Sequence, residues 1–147
     1  MLETVLVGIP LVFVLISIAE MGRAMWAYHT MAYAMNVAAR YVVVHGKTAT
    51  VSSVAHQIKQ AAIGLSDSSL NVTLTSASGS VNCTPLNSCY NNNNAWPPTS
   101  DNSAGNDIQI SGKYPFHSAL SMFWPHAGTV AFAPIYLPAN SKQAIQY

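Results

Sequence analysis

The chain has 147 residues, of which 50% are apolar and only 7% are charged, with a formal net charge of +1. Soluble domains typically carry about 25% charged residues, so this composition is unusual for a freely soluble protein and excludes the basic surface that nucleic-acid binding requires. The apolar residues are concentrated in residues 1–46, whereas Ser, Thr, Asn, Gly and Pro dominate residues 65–107. The chain therefore divides into a hydrophobic segment, 1–46, and a head, 47–147.

An almost uninterrupted apolar run predicts one long N-terminal helix. Residues 5–19 contain no ionisable side chain, and the apolar character continues beyond them to residue 44. At 1.5 Å per residue, a helix over residues 3–45 is roughly 60 Å long. We expect Pro10 to kink it or to open its hydrogen-bond ladder locally, and Gly46 to end it.

The helix is apolar on every side and must therefore be covered on every side. We expect the head to be too small to cover its length, which leaves lipid, further copies of the chain, or each in turn. Alanines such as Ala38 and Ala39 allow close approach of backbones and favour packing against other helices. The alternative is a single membrane anchor.

Four charged residues lie within the predicted helix, at Glu3, Glu20, Arg23 and Arg40. Glu20 and Arg23 share a helix face and favour an ion pair in an apolar setting, or they lie in the lipid headgroup zone and need no partner. Glu3 either complements the positive end of the helix dipole or pairs with the α-amine of a neighbouring subunit.

The first half of the head predicts a helix and a strand. Residues 48–63 carry apolar side chains at helical spacing, and Gly64 follows as an end signal. In residues 70–75, Leu and Val alternate with Asn and Thr, which is typical of a half-buried strand.

The second half predicts further strands, and so an α+β head with a small antiparallel sheet. The alternation resumes over residues 108–116, with an irregularity at Gly112. The run 129–137 contains Pro134, which indicates an edge strand or a bulged one.

A polar, irregular loop is predicted over residues 76–106. Cys83 and Cys89 are the only cysteines, and such a pair in an extracellular loop predicts a disulfide; the alternative is two reduced thiols. Trp96 either folds back onto the head or offers a surface contact to a partner.

The sequence contains no recognisable catalytic or metal-binding motif. The five histidines are scattered, and there is no zinc-ligand spacing, Gly-rich phosphate loop or nucleophile elbow. We therefore expect no enzyme activity, cofactor or metal.

The N-terminal motifs resemble those of the TadE-like pseudopilins of tight-adherence (Tad/Flp) pili. The resemblance rests on Glu3-Thr4-Val5, Pro10, Glu20-Met21-Gly22-Arg23, Asn36-Val37-Ala38-Ala39-Arg40-Tyr41 and His45-Gly46, and more loosely on Tyr114-Pro115-Phe116. One difference is that type IV pilins place the acidic residue at the fifth mature position, whereas here it is Glu3.

The resemblance implies a prepilin that a prepilin peptidase cleaves. Assembly machinery would then move it from the inner membrane into an extracellular pilus, among copies of itself or related pilins. The residues implied in assembly are Glu3, Pro10, Glu20, Arg23, Ala38, Ala39 and Arg40.

Three functions are compatible with this sequence: a pilus subunit for surface attachment, a minor pseudopilin that primes assembly of another pilin, and a monomeric membrane-anchored binding domain. An anchor should become polar soon after Arg23. Because the apolar, Ala-rich pattern continues for another twenty residues, the sequence favours the pilus subunit.

Overall fold

The computed structural model describes residues 2–118 and 134–146, with the backbone only for residues 2–4. Its fold is α+β, as predicted. The elements in chain order are the helices α1 (Leu2–His45) and α2 (Val51–Ala61), the strands β1 (Asn71–Ser76) and β2 (Gly79–Cys83), a short 3-10 helix (Leu86–Cys89), and the strands β3 (Asp107–Phe116) and β4 (Ile135–Ala144).

The four strands form one antiparallel sheet in the order β2-β1-β3-β4. The sequence missed β2, which lies inside the predicted loop 76–106. The predicted edge strand is confirmed as β4, although it begins at Ile135 and extends to Ala144; residues 129–133 of that prediction lie outside the described residues.

Gly112 does not interrupt β3, contrary to the predicted irregularity. The register is continuous through it, with Val72 opposite on β1 and Ala139 opposite on β4. A Cβ at this position would lie 2.9 Å from Cε and 3.1 Å from Sδ of Met35. The glycine is therefore a place where α1 approaches the sheet closely.

The core of the head includes the upper part of α1, by which we mean residues 27–45. One stripe of this part is buried, with a period close to the 3.6 residues of a helical turn. Its members are Ala27, Met31, Ala34, Met35, Ala38, Ala39 and Val42. All of them except Ala27 pack with α2 and the inner face of the sheet in one hydrophobic cluster. The core of the head therefore contains residues from both sides of the predicted boundary at residue 46.

The second helix is shorter than predicted, and its start is capped. Thr50 is the N-cap: its hydroxyl accepts from the backbone N–H of Ser53, and the Ser53 hydroxyl accepts from that of Thr50. Such a reciprocal box satisfies two otherwise free donors. The helix ends at Ala61, and Gly64, with a φ of 81°, turns the chain beneath the Trp26 ring of α1.

These contacts fix the directions of the elements along α1. Arg23 lies beside Phe116, at the end of β3. Further along α1, Met35 lies against Gly112 and Asn36 accepts a hydrogen bond of 2.7 Å from Ser141. Strand β3 therefore runs alongside α1 towards the N-terminal part of the helix, and β4 runs alongside it in the opposite direction.

We predict that Gly112→Val destabilises the head, because the added methyl groups displace Met31 and Met35 from the sheet. Overpacking of this kind costs about 1–3 kcal/mol. The matched control is Gly79→Val on β2, where a Cβ meets nothing within 4 Å, and we expect a change within about 0.5 kcal/mol. Denaturant unfolding of both variants measures this; equal losses would contradict the close approach at Gly112.

Candidate membrane and assembly helix

The lower part of α1, residues 5–26, is exposed along almost its whole length. Apart from Ile16, its large apolar side chains are more than two-fifths exposed: Val5, Leu6, Val7, Ile9, Leu11, Val12, Phe13, Val14, Leu15, Ile18, Met21, Met25 and Trp26. By length and composition, α1 can cross a membrane. Pro10 lies inside the helix without ending it. The head thus covers one stripe of the upper part and leaves the lower part exposed, so it does not cover the length of α1, as expected.

Glu20 and Arg23 form the predicted ion pair. Arg23 Nη1 lies 2.5 Å from Glu20 Oε1, and Glu20 is buried while most of the Arg23 side chain is exposed. The Arg23 guanidinium also lies over the Phe116 ring, 5.6 Å from its centroid, a distance at which cation–π attraction acts. This pair therefore links the lower part of α1 to the end of the sheet.

Ala38 and Ala39 require a correction. Both are fully buried in the head of their own chain, so they are not available for the expected contact with another helix. A tryptophan at either position would overpack the core and would report folding rather than assembly. Burial in the head also explains why the apolar pattern continues after Arg23, because those apolar residues form part of the core of the head.

The assembly roles of the remaining residues stay predictions. The side chain of Glu3 lies outside the described part, although its backbone is helical from Leu2 onwards. Arg40 is exposed. Neither position settles what the residue contacts in an assembly.

The structure decides both of the alternatives stated for the long loop. Cys83 and Cys89 form the predicted disulfide, with 5.5 Å between their Cα atoms. Of the two alternatives for Trp96, the structure shows the one in which it folds back onto the head, because the residue is 1% exposed and so does not offer the surface contact. Its backbone N–H donates to the carbonyl of Ala49, at 3.0 Å.

The Asn-rich segment before Trp96 completes the start of α2. The backbone N–H groups of Val51 and Ser52 donate to the carbonyls of Asn94 and Asn92, at 3.0 and 2.8 Å. These N–H groups have no partner inside their helix. The loop is therefore a structural part of the head, which sequence reasoning missed because the partners are backbone atoms.

Asp101 holds the rest of the loop and was not singled out from the sequence. Its carboxylate accepts from the backbone N–H and hydroxyl of Ser78, at 2.7 and 2.5 Å, and from the Ser100 hydroxyl at 3.1 Å. These bonds, that of the Ser78 hydroxyl above all, lower the pKa of Asp101 to about 2. A carboxylate three residues beyond a Pro-Pro pair is the only signal the sequence offers.

A second cluster joins α2 to the loop around the disulfide. The Tyr90 hydroxyl donates to Asp67 at 2.8 Å, Lys59 Nζ lies 3.3 Å from Asp67, and the His56 ring stacks on Tyr90. Burial, and then the Asp67 carboxylate, raise the pKa of Tyr90. The hydrogen bond from Tyr90, and then Lys59, lower the pKa of Asp67. A tyrosine held neutral in this way is a donor and not a nucleophile, which makes the cluster structural.

Among residues 2–118 and 134–146, no group of three or more His, Cys, Asp or Glu side chains is arranged to hold a metal ion. The family model described as TadE-like protein matches residues 1–40. The chain has a TadE-like N-terminal segment.

This TadE-like segment covers the lower part of α1 and most of its buried stripe, and it stops before α2 and the sheet. Searches of curated proteins and of solved structures found no match to the chain. The TadE-like proteins are a structural, pilus-associated family. Together with the exposed apolar helix, the match fits a pilus-associated, membrane-anchored subunit.

We predict that replacing both cysteines, Cys83→Ala with Cys89→Ala, lowers the free energy of unfolding by about 2 kcal/mol. The bridge closes a short loop, and its loss gives entropy back to the unfolded chain. Urea unfolding of the oxidised protein against the variant measures the difference. Reductant should shift the midpoint of the native protein and leave that of the variant unchanged; coincident midpoints without reductant would contradict the prediction.

We predict that Asp101→Asn changes how stability depends on pH. The folded pKa of about 2 lies below the ordinary value of 3.8, so the contribution is fully present above the unfolded pKa and disappears as the pH falls through the folded one. The Tm deficit of the variant should be constant from about pH 7 to about pH 5 and shrink between about pH 4 and about pH 2.

The control for this pH series is Asp107→Asn. Asp107 pairs with Lys142 at 2.7 Å, and both side chains are more than half exposed. Exposed pairs of this kind contribute little, so the control should show a small Tm deficit at every pH. A deficit of Asp101→Asn that persists unchanged at about pH 2 would show that its effect does not come from the charge.

Proposed function

We propose that this protein is a pilin-like structural subunit. The lower part of α1 holds it in the inner membrane, and the same helix then packs with other subunits in an extracellular pilus used for surface attachment. The observation that carries the proposal is an exposed apolar helix lying within the TadE-like match. An apolar surface of this size needs a permanent cover.

The helix can be covered by lipid or by neighbouring subunits, and different free-energy terms favour each cover. Leaving water gains about 1.5–3 kcal/mol for each large apolar side chain, but lipid tails are as apolar as a neighbouring helix. Transfer from membrane to filament therefore gains little from the hydrophobic effect. Close packing between helices has to supply the preference, and small residues are what permit it.

The lower part of α1 carries small residues on one face. Ala19 lies 11 positions and Gly22 lies 14 positions after Gly8. At 3.6 residues per turn, the three residues fall within about 60° of one another around the helix axis. Within the described part, a Cβ at Gly8 or Gly22 meets nothing within 4 Å. These positions replace Ala38 and Ala39 as the proposed packing surface between subunits.

Two alternatives remain: a minor pseudopilin that primes assembly, and a membrane-anchored binding domain that stays monomeric. The length of the apolar run no longer argues against the anchored domain, because its second half packs on the head. The TadE-like match is what favours a pilus role. A prepilin peptidase and the pilus assembly machinery are the partners that this role implies.

We predict that Gly22→Leu prevents incorporation into filaments and leaves the head folded and the precursor in the membrane. A Cβ at this position meets nothing within 4 Å in the described part, so we attribute an assembly defect to a contact with another subunit. Met21→Leu, at the neighbouring exposed position, is the control and should assemble normally. If Glu3 pairs with a neighbouring subunit, we expect Glu3→Ala also to prevent incorporation into filaments while the head stays folded and the precursor stays in the membrane.

Electron microscopy of sheared filaments, mass spectrometry of their protein and immunoblots of the membrane fraction give the readout. A chain that dominates the filaments is a major subunit, and one present in traces is a minor pseudopilin. A chain that stays in the membrane fraction and is absent from filaments would overturn the proposal in favour of the anchored binding domain. Normal filaments from Gly22→Leu would exclude the proposed packing surface.

A further inference from the structure

Outside α1, the exposed large apolar side chains of the described part are Ile63, Ile135 and Tyr136. Their exposed fractions are 73%, 64% and 59%. They come from two separate places in the chain: Ile63 follows the end of α2, and Ile135 and Tyr136 begin β4. Exposed apolar side chains brought together from separate elements usually mark a contact surface.

These three residues lie at one height along α1. Gly64, next to Ile63, sits against the ring of Trp26. Ile135 is paired with Phe116 in the sheet, and the Phe116 ring lies under the guanidinium of Arg23. Ile63 and Ile135 are thus both placed beside residues 23–26 of α1, where the helix leaves the head.

The opposite end of the head is polar. This is the end where β3 begins and β4 ends, and it carries the exposed ion pair between Asp107 and Lys142. The adjoining residues 102–106 are Asn, Ser, Ala, Gly and Asn, and most of them are exposed. The head therefore has two unlike ends along the direction of α1.

We propose that the apolar end of the head rests on the surface of the lipid bilayer that α1 crosses. We call this end the underside and define it as Trp26, Ile63, Ile135 and Tyr136. The inference extends the proposed function, since it requires that α1 is inserted in a membrane. It assigns a lipid contact to the head itself, beyond the spanning helix.

Three features of the underside fit lipid. It is continuous with the exposed apolar surface of the lower part of α1, so both are covered by one environment. Trp and Tyr prefer the interface between hydrocarbon and water, and Trp26 and Tyr136 are both exposed there. Arg23 lies at the same height, where a guanidinium meets anionic lipid phosphate.

The arrangement of the underside also favours a membrane over a second copy of the chain. Trp26 lies on α1, and the other residues lie at the same height, just after α2 and at the start of β4. Such an arrangement faces a plane through which the helix passes. A second subunit packed alongside α1 would instead contact residues at several heights along the axis.

The test measures how close the underside lies to lipid headgroups in the full-length chain. A fluorophore is attached to Ile63→Cys or Tyr136→Cys, because the native cysteines are held in their disulfide. The protein is placed in nanodiscs of phosphatidylcholine and phosphatidylglycerol, with and without a headgroup nitroxide lipid. The control is Val44→Cys, also on an exposed apolar residue (72%) but roughly 30 Å beyond Arg23 along α1.

We expect labels at 63 and 136 to lose a large part of their emission when the nitroxide lipid is present, and the label at 44 to keep nearly all of its own. Equal quenching at the three positions would overturn the inference. So would underside labels that become shielded only when a disc holds two copies, since a second subunit would then be the cover.

Vesicle flotation separates this inference from the proposed function. If the chain floats with vesicles and its underside labels are not quenched, the lipid contact of the head is wrong and the membrane-held subunit stands. If the chain does not float, α1 is not inserted, and both the inference and the membrane step of the proposed function fail.

Discussion

The buried stripe on the upper part of α1 is the contact on which the rest of the head depends. Met31 and Met35 fill the space over Gly112, and the alanines between them and Val42 let α2 approach. Without this stripe, the four-stranded sheet and the 11-residue helix α2 would have an open core. A helix of that length is marginal by itself. The membrane-type helix is therefore also the scaffold of the domain that follows it.

One helix thus meets two kinds of surroundings, and composition alone does not separate them. The lower and upper parts are both rich in apolar residues, yet the first is exposed, whereas one stripe of the second is covered by α2, which begins at Val51, and by a sheet whose last strand begins at Ile135. The long helix, the disulfide and the Glu20–Arg23 pair were predictable because each follows from local spacing. The destination of Ala38 and Ala39 was not, since it depends on what the rest of the chain brings to them.

The other differences between sequence and structure have the same cause. Gly112 looks like a break in a strand until Met35 is placed above it. Strand β2 is short, and its GSVNC sequence carries too little alternation to stand out from the polar loop. The role of Asp101 depends on its hydrogen bonds with Ser78, which lies in the turn between β1 and β2. Local patterns report the type of an element, whereas partners and burial come from contacts distant in sequence.

The unbroken course of α1 from Leu2 to His45 means that no flexible joint separates the lower part from the head. Each residue advances a helix by about 1.5 Å and turns it by about 100°. The number of residues between Gly22 and Ala27 therefore fixes the direction in which the head points relative to the small-residue face. Inserting a single residue there would preserve the sequence of both parts and swing the head by more than a quarter turn. In the proposed helical array, the number of residues in this segment would set the angle between the head and the neighbouring subunits.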